Sequence, residues 1–440
     1  MVRGKILFIL LFFINLNLSA QSISLEKARE LALANSRSLA RYQLAIQSSI
    51  LDEKNQFFSM LPQISAEYRA SAVYFRNWEF FNPVENFTTG AGFSISQIIF
   101  QGGKSFIQKA ISAIATESVR KDALAEYFNV LDAADNAYYA ALEAAAALEI
   151  EELSFRAAEL GYAIAEVRNE TGMINHGDYL RSLADKESRE SSRNQARRNL
   201  SMSLLRLKNL LGVTETVTPQ PIGFDAYENV IRRLANISEE EADALFEKFW
   251  NIMAHDNPSI AKANLSSQRA EKNHAISQRD YIPTIRATIL SGDFNLLPDY
   301  KSTSSGSVTI SGSIPVDFWV LDNRLKRSKI ALDSAAIDYA NLENSLEMEL
   351  LNALSNIFTQ AGAVLSSRRS LEYTEKHYQF VMERYRLSQS SVSDLNEASS
   401  LYMSSQNNLN KSSYSFLQVL SKLRSLCAMD DEQKLLELLM

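Results

Sequence analysis

Two prolines divide this 440-residue chain in the same way. Residues 57–70 read FFSMLPQISAEYRA and residues 278–290 read QRDYIPTIRATIL. In each, a helical spacing of apolar residues runs up to a proline and gives way to strict alternation. Pro62 and Pro283 are 221 residues apart, and Ile64 and Ile285 hold the same place after each. Proline removes a backbone donor and disfavours the α conformation in the residue before it, so a helix stops there. A period of two beyond it predicts a strand. A chain that makes this switch twice is expected to be an internal duplication, and its fold must house two hairpins carried on helices.

The first copy spans 21–211. A helix is expected from an N-cap at Ser24 to the break at Pro62, then a β-hairpin over 63–100. Ile64, Ala66, Tyr68, Ala70, Ala72 and Tyr74 alternate with Ser65, Glu67, Arg69 and Ser71, giving one apolar and one polar face. An aromatic outer loop, NWEFFNPVENFTTG, carries Trp78, Phe80, Phe81 and Phe87 before the second strand at 92–99. Gly102 and Gly103 then open a long helix from Lys104 to about residue 170, with Leu124, Tyr127, Phe128, Leu131, Tyr138 and Leu142 on a heptad-like seam. A tip turn at 171–178 leads to a helix stopped by Gly212. A linker at 212–238 precedes the second copy, 239–428: a helix to Pro283, a hairpin at 284–317 and a helix from about Asp322. A tip turn at 387–394, a last helix and a tail at 429–440 complete the chain. Asn323, in the place of the glycines, is expected to supply the second strand-to-helix turn, because asparagine tolerates the left-handed conformation.

Residues 1–20, MVRGKILFILLFFINLNLSA, read as a secretory signal cleaved after Ala20, with a membrane anchor as the competing reading. Losing Arg3 and Lys5 takes the formal charge from −7 to −9. That balance argues against a nucleic-acid partner. No later segment is apolar over eighteen residues, so no transmembrane helix is expected. Cys427 stands alone, which excludes an intrachain disulfide. His176, His255, His274 and His377 show no ligand spacing, and no nucleophile or phosphate-loop motif is present. Neither a metal, a cofactor nor an enzyme is expected.

Length sets an architecture. The helix after each hairpin has roughly 65 residues, about 100 Å at 1.5 Å per residue, and the two shorter helices are about half that each. Each copy is then an antiparallel pair of rods with a hairpin at one end and a turn at the other. A lone hairpin is marginal in water. These strands have one apolar face and the length needed to cross a bilayer when tilted. Open edges cannot persist in hydrocarbon, and membrane barrels begin at eight strands. Four strands per chain therefore require an oligomer: two chains give eight, three give twelve, and spacing does not choose.

The signal peptide, SLEKARELALANSRSL, the LPQI break, IIFQGGK opening a helix and RYRLSQSSVSDLNEA near the end resemble the TolC-like outer membrane efflux protein family over the mature chain. The resemblance implies a mainly α homotrimer with a shared twelve-stranded barrel in outer-membrane lipid and a coiled-coil helical tunnel in the periplasm. It implies passive conduction, energised by an inner-membrane transporter through a periplasmic adaptor (membrane fusion) protein. Asp394 and Glu397, three apart on the last helix, match acidic positions that ring the tunnel's narrow end in that family; helix capping is the plainer reading of both. Arg168, Gly172, Arg384 and Ser388 are the candidate adaptor contacts, and Ser388 departs from the family's glycine. The aromatics of the outer loop suit an interfacial belt. The rival reading is a periplasmic coiled-coil scaffold or adhesin whose hairpins only hold copies together.

Overall fold

A computed structural model of the chain describes residues 21–72, 87–291, 306–387 and 389–440. Residues 1–20, where the secretory signal is expected, the loop aromatics Trp78, Phe80 and Phe81, and Ser388 lie outside the described residues. The first half runs β1 (Gln21–Ile23), α1 (Leu25–Asn35), α2 (Arg37–Phe58), β2 (Gln63–Ala72), β3 (Phe87–Phe100), α3 (Lys104–Glu170) and α4 (His176–Leu211). β4 (Val217–Pro219) and α5 (Glu228–Leu234) follow, then α6 (Glu239–Asp256), α7 (Pro258–Gln278), β5 (Thr284–Leu290) and β6 (Ser307–Ser313). α8 (Phe318–Arg386), α9 (Val392–Leu426) and α10 (Glu432–Leu439) close the chain.

Four local features differ from the sequence expectation. The helix before each proline is broken 26 residues upstream of it, at Ser36 and at Asn257, both in extended conformation. At the second break Asn257 Oδ1 caps the amides of Ser259 and Ile260 at 2.8 and 3.4 Å, with Pro258 at the first helical position. Phe87 is the first residue of β3, opposite Ala72, and not a loop residue. The last strand ends at Ser313, and α8 begins at Phe318, so Asn323 is helical and supplies no turn. Pro315, in the non-helical stretch 314–317, has no N–H to give to the ladder, and the strand stops short of it. The tail expected at 429–440 is largely helix α10, with Leu435 and Leu439 fully buried.

By its internal contacts the chain divides into two compact units, each drawing on both copies. One comprises residues 37–127 and 247–351, and holds a four-stranded antiparallel sheet in the order β2-β3-β5-β6. β3 and β5 join the two hairpins, with a bulge between Ile98 and Phe100. Register places Ile64, Ile95, Ile289 and Val308 opposite one another, one apolar row across all four strands. The adjacent row, on the other face, is Gln63, Ser96, Thr288 and Thr309. The apolar row lies open: its members are 73, 37, 47 and 74% exposed in strand order. Helix α2 buries none of its residues, and Leu44, Leu51, Phe57 and Phe58 are exposed on it. Apolar area on this scale marks a surface meant for lipid or another chain.

The second unit takes the residues up to Ser36, then 128–246 and 352–440. Its core holds Phe128, Leu131, Tyr138 and Leu142 of the α3 seam, together with buried residues of α9 such as Phe416, Leu417 and Leu420. β1 and β4 pair in parallel, and the Tyr138 hydroxyl lies 2.9 Å from the Ile23 carbonyl and 2.8 Å from that of Gln220. Ala428, at φ 52°, ends α9 in the left-handed region, where the Met429 amide bonds the Arg424 carbonyl at 3.0 Å. An alanine there carries a Cβ penalty of roughly 1–2 kcal/mol that glycine escapes. Ala428→Gly is therefore expected to stabilise the protein by about 0.5–1 kcal/mol, read as a higher denaturant midpoint with unchanged slope.

Candidate functional site

Three constellations carry chemistry beyond packing: the strand-to-helix junction, the two helical turns and a buried charge cluster. At the junction, Gly102 and Gly103 adopt φ +64° and +76°, turning β3 into α3. A Cβ on Gly102 would come within 2.8 Å of Ile282 Cδ1, so backbone conformation and space both require glycine. Pro62 and Pro283 stand between helix and strand, each just ahead of β2 or β5. Asp280 gathers the two copies' helix starts: Lys104 Nζ donates to its Oδ1 at 2.7 Å and Arg324 Nη1 to its Oδ2 at 2.9 Å. Burial works against its ionisation, but the two cations hold its carboxyl below the usual range.

Between α3 and α4, Gly172 takes φ +72° and the Met173 amide returns to the Arg168 carbonyl at 2.7 Å. Asn175 then caps α4 by accepting from the Asp178 amide at 2.8 Å. Between α8 and α9, Ser391 accepts from the Asp394 amide at 3.1 Å while Asp394 Oδ2 accepts from the Ser391 amide at 3.0 Å. That is a reciprocal capping box. The Ser390 hydroxyl adds a third donor at 2.9 Å. These hydrogen bonds, the Ser391 amide first, hold the Asp394 carboxyl below its ordinary value. Glu397 is exposed one turn on.

Both tip arginines are engaged. Arg168 stacks over the Tyr385 ring at 4.7 Å and donates to the Tyr385 carbonyl at 3.0 Å. Arg384 lies 5.7 Å from the Phe380 ring and donates to the Gln389 carbonyl at 3.0 Å. The turns thus rest on a shared cluster of Val381, Tyr385, Val392, Leu395 and Ala398 against Ile164. Arg168, Gly172, Arg384, Asp394 and Glu397 all belong to the two turns, whereas Gly102, Gly103, Pro62 and Pro283 belong to the junction.

Sequence reasoning missed the third constellation. Asp135 of α3 is fully buried and accepts a bidentate pair from Arg29 of α1, Nε to Oδ1 at 2.6 Å and Nη2 to Oδ2 at 2.9 Å. Buried Arg424 of α9 adds a 2.8 Å bond to the same Oδ2. Glu432 of α10 accepts from Arg29 at 2.8 Å and from the Tyr227 hydroxyl at 2.6 Å. One signal was in the sequence. Phe128, Asp135 and Leu142 are spaced by seven, so a carboxylate occupies the apolar seam and needs a partner there. Among the described residues no cluster of three or more His, Cys, Asp or Glu is arranged to hold a metal, and no helix is long and apolar enough to cross a membrane.

A model described as outer membrane efflux protein matches residues 251–428. No functionally curated sequence matches the chain. Among solved structures, the Campylobacter jejuni CmeC outer membrane channel is 18% identical, with a TM-score of 0.75 over 93% of this chain and 88% of that one. The Vibrio cholerae outer membrane protein VceC is 13% identical, with a TM-score of 0.74 over 92 and 96%. The open state of the Neisseria gonorrhoeae MtrE outer membrane channel is 16% identical, with a TM-score of 0.73 over 92 and 89%. The family resemblance read from the motifs is borne out over the second copy by the family match, and the fold by likeness over nearly the whole chain.

Glu432 supplies a measurable linkage. Burial opposes its charge, yet Arg29 and the Tyr227 hydroxyl hold its folded pKa below the ordinary value. A depressed carboxylate contributes stability that is complete above its unfolded pKa, about 4.3, and is lost as pH falls through the folded value. Glu432→Gln is expected to lower the unfolding midpoint at pH 7, and the gap from the unaltered protein should close as the pH is taken to about 3.

Proposed function

We propose, from the match of residues 251–428 to the outer membrane efflux protein family, that this chain is one protomer of an outer-membrane channel-tunnel. It serves a tripartite efflux or type I secretion system, passing cargo from a periplasmic adaptor and inner-membrane transporter to the exterior without chemistry of its own. The observation that carries the reading is the exposed row Ile64–Ile95–Ile289–Val308 on a sheet whose two outer strands, β2 and β6, have no further neighbour among the described residues. In hydrocarbon such edges must close, so copies of the chain supply the missing strands, and three copies give a barrel of twelve. The Gln63–Ser96–Thr288–Thr309 face then lines water. CmeC and MtrE are described as outer membrane channels, and their likeness to this fold supports the same placement here.

The helical turns are assigned to the periplasmic tip of the tunnel, where Arg168, Gly172, Arg384 and Ser388 are the candidate adaptor contacts. With both guanidiniums committed to the protein's own carbonyls, the apex around Gly172 and Met173 offers the more accessible surface. Asp394 and Glu397, repeated around a trimer axis, would place six carboxylates at the constriction. Asp394 combines that role with its capping box.

Two experiments test the reading. A charge on the lipid face costs about 2–4 kcal/mol at mid-bilayer. Ile289→Arg is therefore expected to abolish membrane insertion, whereas Thr288→Arg, on the opposite face, should insert normally and alter conductance. On a water-soluble scaffold the arginine at 289 would be harmless, and normal yield in the soluble fraction would refute the channel. In planar bilayers, Asp394→Ala with Glu397→Ala should raise single-channel conductance and reduce cation selectivity. Unchanged values for both would remove the acidic ring.

A further inference from the structure

Within the sheet-bearing unit the helices stand in one row. Ser49 Oγ of α2 bonds Thr116 Oγ1 of α3 at 3.1 Å, and Lys262 of α7 pairs with Asp122 of α3 at 2.7 Å. His274 Nδ1 of α7 meets Ser328 Oγ of α8 at 2.9 Å. The order α2-α3-α7-α8 matches that of the strands these helices enter or leave, β2-β3-β5-β6. Helices α2 and α8 therefore end the row, and their outward faces are apolar. Leu44, Leu51 and Phe58 recur every seven residues on the side of α2 away from Ser49. Trp319, Ile330 and Ile337 share the side of α8 away from Ser328. All six are more than half exposed in the single chain.

The two seams fit each other. Helix α2 runs toward the sheet and α8 away from it, so side by side they are antiparallel. Four residues separate Phe58 from β2 and four separate β6 from Phe318, which sets the two helix ends level. At about 1.5 Å per residue, Leu44 lies about 21 Å from that end, between Ile330 at about 18 Å and Ile337 at about 28 Å. Arg41 falls at about 25 Å, within one turn of Asp338 at about 30 Å, and Asp52 at about 9 Å, within one turn of Arg327 at about 14 Å. Helical rotation puts Arg41 and Asp52 on one flank of the α2 seam, and Arg327 and Asp338 on the flank of α8 that an antiparallel mate brings to them. All four are exposed and have no oppositely charged partner among the described residues of the chain. Two copies of α2 with their sheets in one membrane would instead run parallel and set Arg41 beside Arg41.

We infer that the α2 seam of each copy is covered by the α8 seam of the next, with Arg41 to Asp338 and Asp52 to Arg327 fixing the height at which the rods meet. This pairing presupposes the barrel closure proposed above, in which β6 of one copy meets β2 of another. A contact of this kind is head-to-tail, so it repeats round the ring and is complete only when the last α8 reaches the first α2.

The test uses the full-length protein in its own membrane. Cys427, the one native cysteine, is buried and does not compete. Leu44→Cys with Ile330→Cys should be joined by a short bis-thiol reagent into covalent dimers and closed rings, because within one chain the two positions lie at opposite ends of the row. Leu44→Cys with Met348→Cys, about 24 Å apart along the rods, should stay uncoupled. In detergent, Arg41→Asp and Asp338→Arg should each lower the temperature at which the assembly dissociates, and the two together should recover it. Coupling of 44 to 348 in place of 330, or a double variant that recovers nothing, would overturn the register. If neither cysteine pair couples in a protein that still inserts and conducts, the channel stands and these seams do not meet. A soluble periplasmic monomer would remove the channel and the contact together.

Discussion

A backbone N–H or C=O at the rim of a β-sheet needs a partner, and in hydrocarbon only another strand can provide one. In the proposed channel, the sheet-bearing unit answers to that requirement. Its four strands expose aliphatic rows that water disfavours, and its flanking helix α2 buries nothing within the chain. Neither the strands nor that helix is a finished structure in one copy. The duplication meets part of this by economy of sequence: one hairpin plan, used twice and joined through β3 and β5, yields a single four-stranded sheet.

The second unit solves a different problem. Its N-terminal helix, its C-terminal helix and two long helices have to meet at one place, although they are hundreds of residues apart in the chain. Apolar packing provides most of the burial, but packing is tolerant of small slips. The Arg29–Asp135–Arg424–Glu432 cluster is not tolerant, because a shift that breaks one bond leaves a buried charge unpaired, at about 3–5 kcal/mol. The ion pairs thus specify where α1 and α10 dock more than they stabilise the fold. Ser421 and Tyr227 complete the arrangement with hydroxyls that satisfy what the guanidiniums leave over.

What could be read from the sequence was what local chemistry dictates. The period change at Pro62 and Pro283 and the turn at Gly172 depend on residues adjacent in the chain, and the structure places the corresponding turns and strands there. Asn257-Pro258 is a capping residue followed by a helix-starting proline, so the break in the second helix is legible in the sequence. Ser36 has no such marker. The turn preference of Asn323 is overridden because the strand ends ahead of Pro315, eight residues earlier, and α8 has begun by Phe318. The charge cluster was hidden for a different reason. Its members are spread from residue 29 to residue 432, and apart from Asp135 on the apolar seam each resembles an ordinary helical surface charge until the fold brings them together.

The junction between the hairpins bears on the order in which the molecule is made. Ser94 and Leu290, paired across β3 and β5, are separated by 196 residues. A ribosome that has finished β3 must add nearly two hundred more residues before its neighbour exists, so the first hairpin travels for that time with bare edges and a sticky face. Long-range strand pairing is slow and such intermediates aggregate. The open edge of β3 therefore stays uncovered by its own chain until β5 has been made.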